Sequence, residues 1–303
     1  MALNLQTLKT RSISAIFFVA IMLLGLCYNQ WTFLLLFSII HVGCWWEYQK
    51  LIGTIYPAYK TITAFHKYGA IVLGQALLLL ASRHHYSLGT LALDAVGAWL
   101  LLTCIVALPV GIIVIGRNTE TNTIKHTLIG WIYISLSWMC MQLLRNSDAS
   151  QHQTGQWIPI IIIATIWIND TMAYIVGSLI GKTPLAAISP KKTWEGTIGG
   201  AILAIGVVSL GLPPIVHTYV NEAALHFSLL GKLLPWQVLV PLTAIIATVG
   251  TLGDLLESKL KRMAGVKDSG NMMPGHGGFL DRFDSLLLAT PIVWLFTEML
   301  LRW

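Results

Sequence analysis

In a chain of which only 11% of residues are charged, one stretch from Gly253 to Ser285 gathers Asp254, Glu257, Lys259, Lys261, Arg262, Lys267, Asp268, His276, Asp281, Arg282 and Asp284. Apolar runs flank it on both sides. The basic residues alone would need no special reason, since loops on the cytoplasmic side of a membrane are rich in lysine and arginine. The carboxylates do need one. Asp254 continues directly from the run AIIATVGTLG, and Asp281 and Asp284 stand just ahead of LLLATPIVWLF. An ionisable group at such depth requires a cation, a partner or a task.

Spacing suggests the task. On a helix Asp254 and Ser258 share a face, as Asp281 does with Asp284 and Ser285. Between them, PGHGG at 274–278 ends any helix and lets backbone amides approach an anion. Carboxylate oxygens are hard ligands that suit Mg2+, and ammonium and guanidinium groups suit the phosphate charge that remains. The expected chemistry is a divalent cation holding phosphates. Asp254 and Asp281 are the expected ligands, with Ser258 and Asp284 in or beside the coordination shell. This many carboxylates leaves room for a second cation of unidentified kind.

A second cluster runs from Trp167 to Gly200. Asp170 lies inside an apolar segment, where it must find a cation, a donor or a polar cavity. Gly177 and Gly181 have the spacing of close helix packing. The segment Ser189 to Gly196, SPKKTWEG, places Lys191 and Lys192 beside a turn and a helix start, a combination that favours phosphate. A basic cytoplasmic loop with Trp194 at the interface is the structural alternative.

The segment Ser258-Lys259-Leu260-Lys261-Arg262, followed by Lys267-Asp268-Ser269-Gly270 and by Pro274 to Asp284, closely resembles the signature of the phosphatidate cytidylyltransferases, also called CDP-diacylglycerol synthases. The pattern DxxAYxxGxxxGK from Asp170 and the SPKKTWEG segment are similar to those that accompany it. The resemblance covers residues 165–285; the N-terminal half matches only in hydropathy. It implies the conversion of CTP and phosphatidate to CDP-diacylglycerol and diphosphate, with Mg2+, at a site open to cytosol and lipid. Asp254, Asp281 and Lys267 are the expected catalytic residues, and Asp254, Asp281 and Asp284 the expected metal ligands. Expected substrate contacts are Lys191, Lys192, Ser258, Arg262, Asp268, His276, Gly277, Gly278 and Arg282. The expected partners are CTP, phosphatidate or a related lipid phosphate, membrane lipids and a second copy of the chain. A cytidylyltransferase or CTP-using kinase for another lipid would share the phosphate end. An ion pathway through Asp170, Asp254 and Asp281 is the alternative outside enzymes.

These residues need elements to hold them. A hydrophobic content of 55% and a mean hydropathy of +0.71 predict an all-α polytopic membrane protein. Runs of about 20 apolar residues, enough to cross a bilayer, are expected at 12–28, 30–46, 67–82, 91–115, 126–144, 157–180, 196–217, 235–254 and 284–302, which makes nine spans. The first lacks a clear cleavage site and is read as a retained helix. With the N-terminus cytoplasmic, only Arg83, Arg145, Lys232 and Arg302 of the 19 lysines and arginines fall outside, and this bias sets the orientation. It also accounts for the net charge of +6 without nucleic acid, since no basic stripe interleaved with aromatics is present. Residues 1–156 are expected to be scaffold and dimer surface, and 157–303 the catalytic helices. Cys27, Cys44, Cys104 and Cys140 lie in apolar runs without metal-ligand spacing. Compact length and the lack of a targeting extension point to a bacterial cytoplasmic membrane.

Overall fold

The computed structural model describes residues 5–83, 86–115, 120–147, 152–226, 228–271 and 277–302. The helices are α1 (Leu5–Cys27), α2 (Gln30–Ile55), α3 (Ala64–Leu80), α4 (Leu93–Ile115), α5 (Thr121–Gly130), α6 (Leu136–Arg145), α7 (His152–Gly155), α8 (Trp157–Ile180), α9 (Trp194–Tyr219), α10 (Glu222–His226), α11 (Leu229–Leu233), α12 (Trp236–Met263) and α13 (Leu280–Arg302). A π-helical turn, Trp131–Ser135, joins α5 to α6 in one continuous run. Two short antiparallel hairpins interrupt the helices. They pair β1 (Ser87–Leu88) with β2 (Leu91–Ala92), and β3 (Pro184–Ala186) with β4 (Ser189–Thr193).

Among the described residues, 6 helical runs are long and apolar enough to cross a membrane: Leu93–Ile115, Thr121–Arg145, Trp157–Ile180, Trp194–Tyr219, Trp236–Met263 and Leu280–Arg302. The shorter apolar helices Ser14–Cys27 and Ala64–Leu80, together with α2, coincide with the other expected runs. The protein is an all-α membrane protein. Its helices sort into two compact units, one of Met1–Gln142 with Leu260–Phe283 and the other of Leu143–Lys259 with Asp284–Trp303. Both α12 and α13 therefore contribute to each unit.

In the first unit α2 supplies the core. Asn29 caps it by accepting from the Thr32 amide at 2.9 Å, and Phe33, Phe37, Ile40, Cys44 and Trp45 are buried. The large aromatics carry polar atoms that must be met once buried. The Trp45 indole donates to Ser135 Oγ at 2.8 Å, the Tyr48 hydroxyl to the His126 carbonyl at 2.8 Å, and the Trp131 indole to the Ala70 carbonyl at 2.8 Å. Trp138 packs between Phe37 and Phe283, with ring centroids at 5.2 and 5.7 Å.

In the second unit α8 and α9 pack directly, joined by the β3–β4 hairpin. The SPKKT segment is therefore a strand that pairs back on Pro184–Ala186 before the helix begins, where the sequence suggested only a turn. The reason is local. Thr193 is extended, with φ −119° and ψ 153°, and its Oγ1 accepts from the Gly196 amide at 3.1 Å, the geometry that starts α9. Glu195 then holds the hairpin by accepting from the Thr183 hydroxyl at 2.8 Å and the Lys182 amide at 3.1 Å. The close approach of α8 depends on glycine: a Cβ at Gly200 would stand 2.7 Å from the Ala173 Cβ and 2.7 Å from its amide nitrogen.

Gly200→Leu should accordingly overpack this contact and destabilise the second unit by about 1–3 kcal/mol. Thermal unfolding of the purified variant in detergent would check this, and an unchanged midpoint would show that α8 and α9 can separate without penalty.

Candidate functional site

In the second unit an open cavity of about 420 Å³ is lined by Asp170 and Tyr174 from α8, Lys191 and Lys192 from β4, and Thr251 and Asp254 from α12. The hairpin thus brings both lysines of SPKKTWEG to the wall of a cavity that also carries carboxylates from α8 and α12. Lys192 Nζ forms an ion pair with Asp254 Oδ2. On the other oxygen, Asp254 Oδ1 accepts from Ser258 Oγ at 3.2 Å, the one-turn contact expected from their spacing.

Asp284 is buried, and its Oδ1 accepts from the Ser285 amide at 2.6 Å. Gly253 makes room for it: a Cβ there would stand 2.6 Å from the Asp284 carbonyl oxygen, so the start of α13 can lie against α12. The charges of Asp170 and Asp254 both act on Asp284, and Lys192 acts on Asp170 and Asp284. Asn169, also buried, donates to Asp170 Oδ1 at 3.4 Å. Asp170 and Asp254 thus stand at the open cavity, with the Lys192 ammonium on Asp254, and the buried Asp284 feels both of their charges. A cation is one partner that answers carboxylates so placed.

The first unit contains a carboxylate centre of its own. Asp281, in the first turn of α13, accepts on Oδ1 from Lys261 Nζ at 2.7 Å. Its Oδ2 accepts from the Ser269 amide, the Ser269 hydroxyl and the Gly278 amide, each at 2.8 Å. The amides of Phe279 and Leu280 donate to Glu47 of α2, both at 2.9 Å. The Gly278 amide, one of the PGHGG donors expected to face an anionic ligand, is therefore engaged by the protein's own carboxylate, as are the next two amides. Gly277 turns the chain at φ +83°.

The remaining expected residues are on the surface of the first unit or outside the described residues. Lys267 and Asp268 are exposed, as are Arg262 and Arg282, and Arg262 Nη1 donates to the Val266 carbonyl at 3.4 Å. His276 lies outside the described residues. The structure groups Lys191, Lys192, Asp254, Ser258 and Asp284 in the second unit and Asp281, Gly277 and Gly278 in the first. It adds Asp170 to the former group, and Lys261, Ser269 and Glu47 to the latter. A carboxylate inside an apolar helix was the available signal for Asp170 and equally for Glu47; no local spacing connects either to its partners.

The sequence matches the model of the cytidylyltransferase family over residues 9–300. The chain belongs to that family. It is 36% identical over 184 residues to the phosphatidate cytidylyltransferase of Bacillus subtilis (strain 168), covering 60% of this chain and 61% of that one. To the protein of the same name from Synechocystis sp. it is 42% identical over 152 residues, covering 49% and 45%. To that of Rickettsia felis it is 34% identical over 178 residues, covering 58% and 72%. The match thus spans about half to three-fifths of the first two of these relatives.

As a cation site, the cavity of this cytidylyltransferase-family chain has the right chemistry but no ready-made cage. Among the described residues no group of three or more His, Cys, Asp or Glu stands in metal-binding geometry. The two carboxylates that line it, Asp170 and Asp254, offer hard oxygens, which suit Mg2+ rather than a softer ion. Lys192 already supplies positive charge at Asp254, so it competes with any cation there. Lys192→Met should therefore bind Mn2+, a Mg2+ surrogate, about tenfold more tightly than the parent, a gain near 1.4 kcal/mol, and Asp254→Asn more weakly. Electron paramagnetic resonance of free Mn2+ would read both; equal affinity in all three proteins would remove the cavity as a cation site.

Proposed function

We propose that this protein is a CTP:phosphatidate cytidylyltransferase. An oxygen of the phosphatidate phosphate attacks the α-phosphorus of CTP, a new P–O bond forms, and the bond to the β-phosphate bridging oxygen breaks with release of diphosphate. The reaction leaves CDP-diacylglycerol. The carrying observation is the second unit's cavity, where Lys191 and Lys192 face Asp170 and Asp254 within a chain of this family. The names of its relatives support the choice of substrates.

The chemistry asks the protein mainly to align two anions and neutralise charge on the leaving group. The attacking phosphate is already ionised near neutral pH, so no strong general base is required. Lys191 and Lys192 hold triphosphate oxygens, and Arg262 and Lys267 are assigned phosphate contacts on the motif resemblance. Asp268 orients Lys267 or contacts the nucleoside. Asp254 and Asp284, with Asp170 beside them, would hold Mg2+. Bound there, Mg2+ would neutralise phosphate charge as diphosphate departs. Asp281 is assigned a metal role on the motif resemblance, and a second cation belongs to the same proposal. The chain crosses the membrane nine times with its N-terminus and active site on the cytosolic face of a bacterial inner membrane, an orientation supported by the placement of lysine and arginine.

Purified protein given radiolabelled CTP, Mg2+ and phosphatidate should yield labelled CDP-diacylglycerol and one diphosphate per CTP consumed. No CTP consumption with phosphatidate would overturn the proposal, and consumption only with another member of a panel of lipid phosphates would reassign the substrate. Asp281→Asn should lower kcat by about 10²–10³-fold, some 3–4 kcal/mol, with membrane insertion intact. Wild-type turnover in that variant would remove Asp281 from the chemistry. Replacing Lys191 and Lys192 together by Met should raise the KM for CTP by about tenfold or more, and an unchanged KM would return them to a structural role.

A further inference from the structure

We propose that Glu47 is the positioning residue of the signature segment: through Ser269 and the start of α13, its carboxylate sets the orientation of Asp281. The catalytic consequence rests on the function proposed above; the structural one does not.

Glu47 lies in α2 within the apolar sequence HVGCWWEYQKLIG, and only 5% of its surface is exposed. A carboxylate so buried is costly unless its oxygens are hydrogen-bonded. Three donors meet it, all from the signature segment: Ser269 Oγ at 2.7 Å and the Leu280 amide at 2.9 Å on Oε2, and the Phe279 amide at 2.9 Å on Oε1. Leu280 is the first residue of α13. Glu47 therefore supplies, from another helix, the acceptor that orphan N–H groups at a helix start require, and its negative charge faces the positive end of the helix dipole.

The link to Asp281 is one atom long. Ser269 Oγ lies 2.7 Å from Glu47 Oε2 and 2.8 Å from Asp281 Oδ2, so it can donate to either and spans the two carboxylates. The Ser269 and Gly278 amides complete the cradle around Asp281 Oδ2. Two signature glycines fit the same account. A Cβ at Gly270 or Gly278 would collide with the Glu47 carboxylate itself, so both positions exclude side chains in favour of that group. Glu47 has no place among the phosphate or metal contacts assigned above. It acts through the segment that carries Asp281.

The replacement Glu47→Gln keeps the volume but turns one acceptor oxygen into an NH2 donor, which must face either the Phe279 amide or the pair formed by Ser269 Oγ and the Leu280 amide. In purified full-length Glu47→Gln, hydrogen exchange read by mass spectrometry should be faster by about tenfold in peptides containing Phe279 and Leu280. Turnover of CTP should fall by about tenfold or more in kcat, with the KM for CTP changed by less than about twofold. Tyr48→Phe serves as the structural control. It removes the next residue's bond to the His126 carbonyl and should alter neither exchange at 279–280 nor kcat. If Glu47→Gln does not fold, Ser269→Ala carries the same prediction at smaller amplitude. A folded Glu47→Gln with wild-type exchange at 279–280, or with reduced thermal stability but undiminished kcat, would overturn the proposal. Exchange is measured without nucleotide, so an inactive wild-type protein would defeat the proposed reaction and leave the exchange comparison intact.

Discussion

Charge in an apolar medium has to be answered by an opposite charge or by hydrogen-bond donors, and the structure of this chain turns on that requirement. Each carboxylate centre meets it differently. In the second unit, Asp254 takes the Lys192 ammonium on one oxygen and the Ser258 hydroxyl on the other. In the first unit, Asp281 takes the Lys261 ammonium on one oxygen and three neutral donors on the other. Glu47 is held by neutral donors alone among the bonds described for it.

These answers differ in what they leave for a ligand. A carboxylate paired with a lysine at an open cavity can exchange that lysine for a cation while the lysine turns to a phosphate, because both are charge-for-charge substitutions. A carboxylate oxygen held by backbone amides, as Asp281 Oδ2 is, cannot do so without displacing them, which leaves only the oxygen that faces Lys261 open to such an exchange. The cavity beside Lys191 and Lys192 is thus suited to binding and release, whereas the donors of Ser269, Gly278, Phe279 and Leu280 are suited to holding a fixed geometry.

Backbone proximity makes both arrangements attainable. Gly200 admits α8 against α9, and Gly253 admits the start of α13 against α12 in the second unit. In the first unit, Gly270 and Gly278 leave the space that the Glu47 carboxylate fills. The hairpin ahead of α9 is a further device of this kind. By pairing Ser189–Thr193 with Pro184–Ala186 and tying Thr183 to Glu195, it turns two flexible lysines into groups with a defined address.

Much of this was legible in the sequence because it is local. Hydropathy located the helical runs, and the four-residue interval between Asp254 and Ser258 foretold their contact, since helix periodicity fixes neighbours one turn apart. The motif segments around Lys191, Lys192 and Asp281 suggested phosphate chemistry through residue type, spacing and family resemblance, and that suggestion is carried into the proposed function. What no spacing could disclose were contacts between distant segments. Glu47 meets Ser269 and Leu280 across more than two hundred residues, and Asp170 is joined to Asp254 and Asp284 only by the packing of three helices. A residue's type and its near neighbours are written along the chain, but which buried charge answers which donor depends on where separate helices are brought together, and tertiary packing alone decides that.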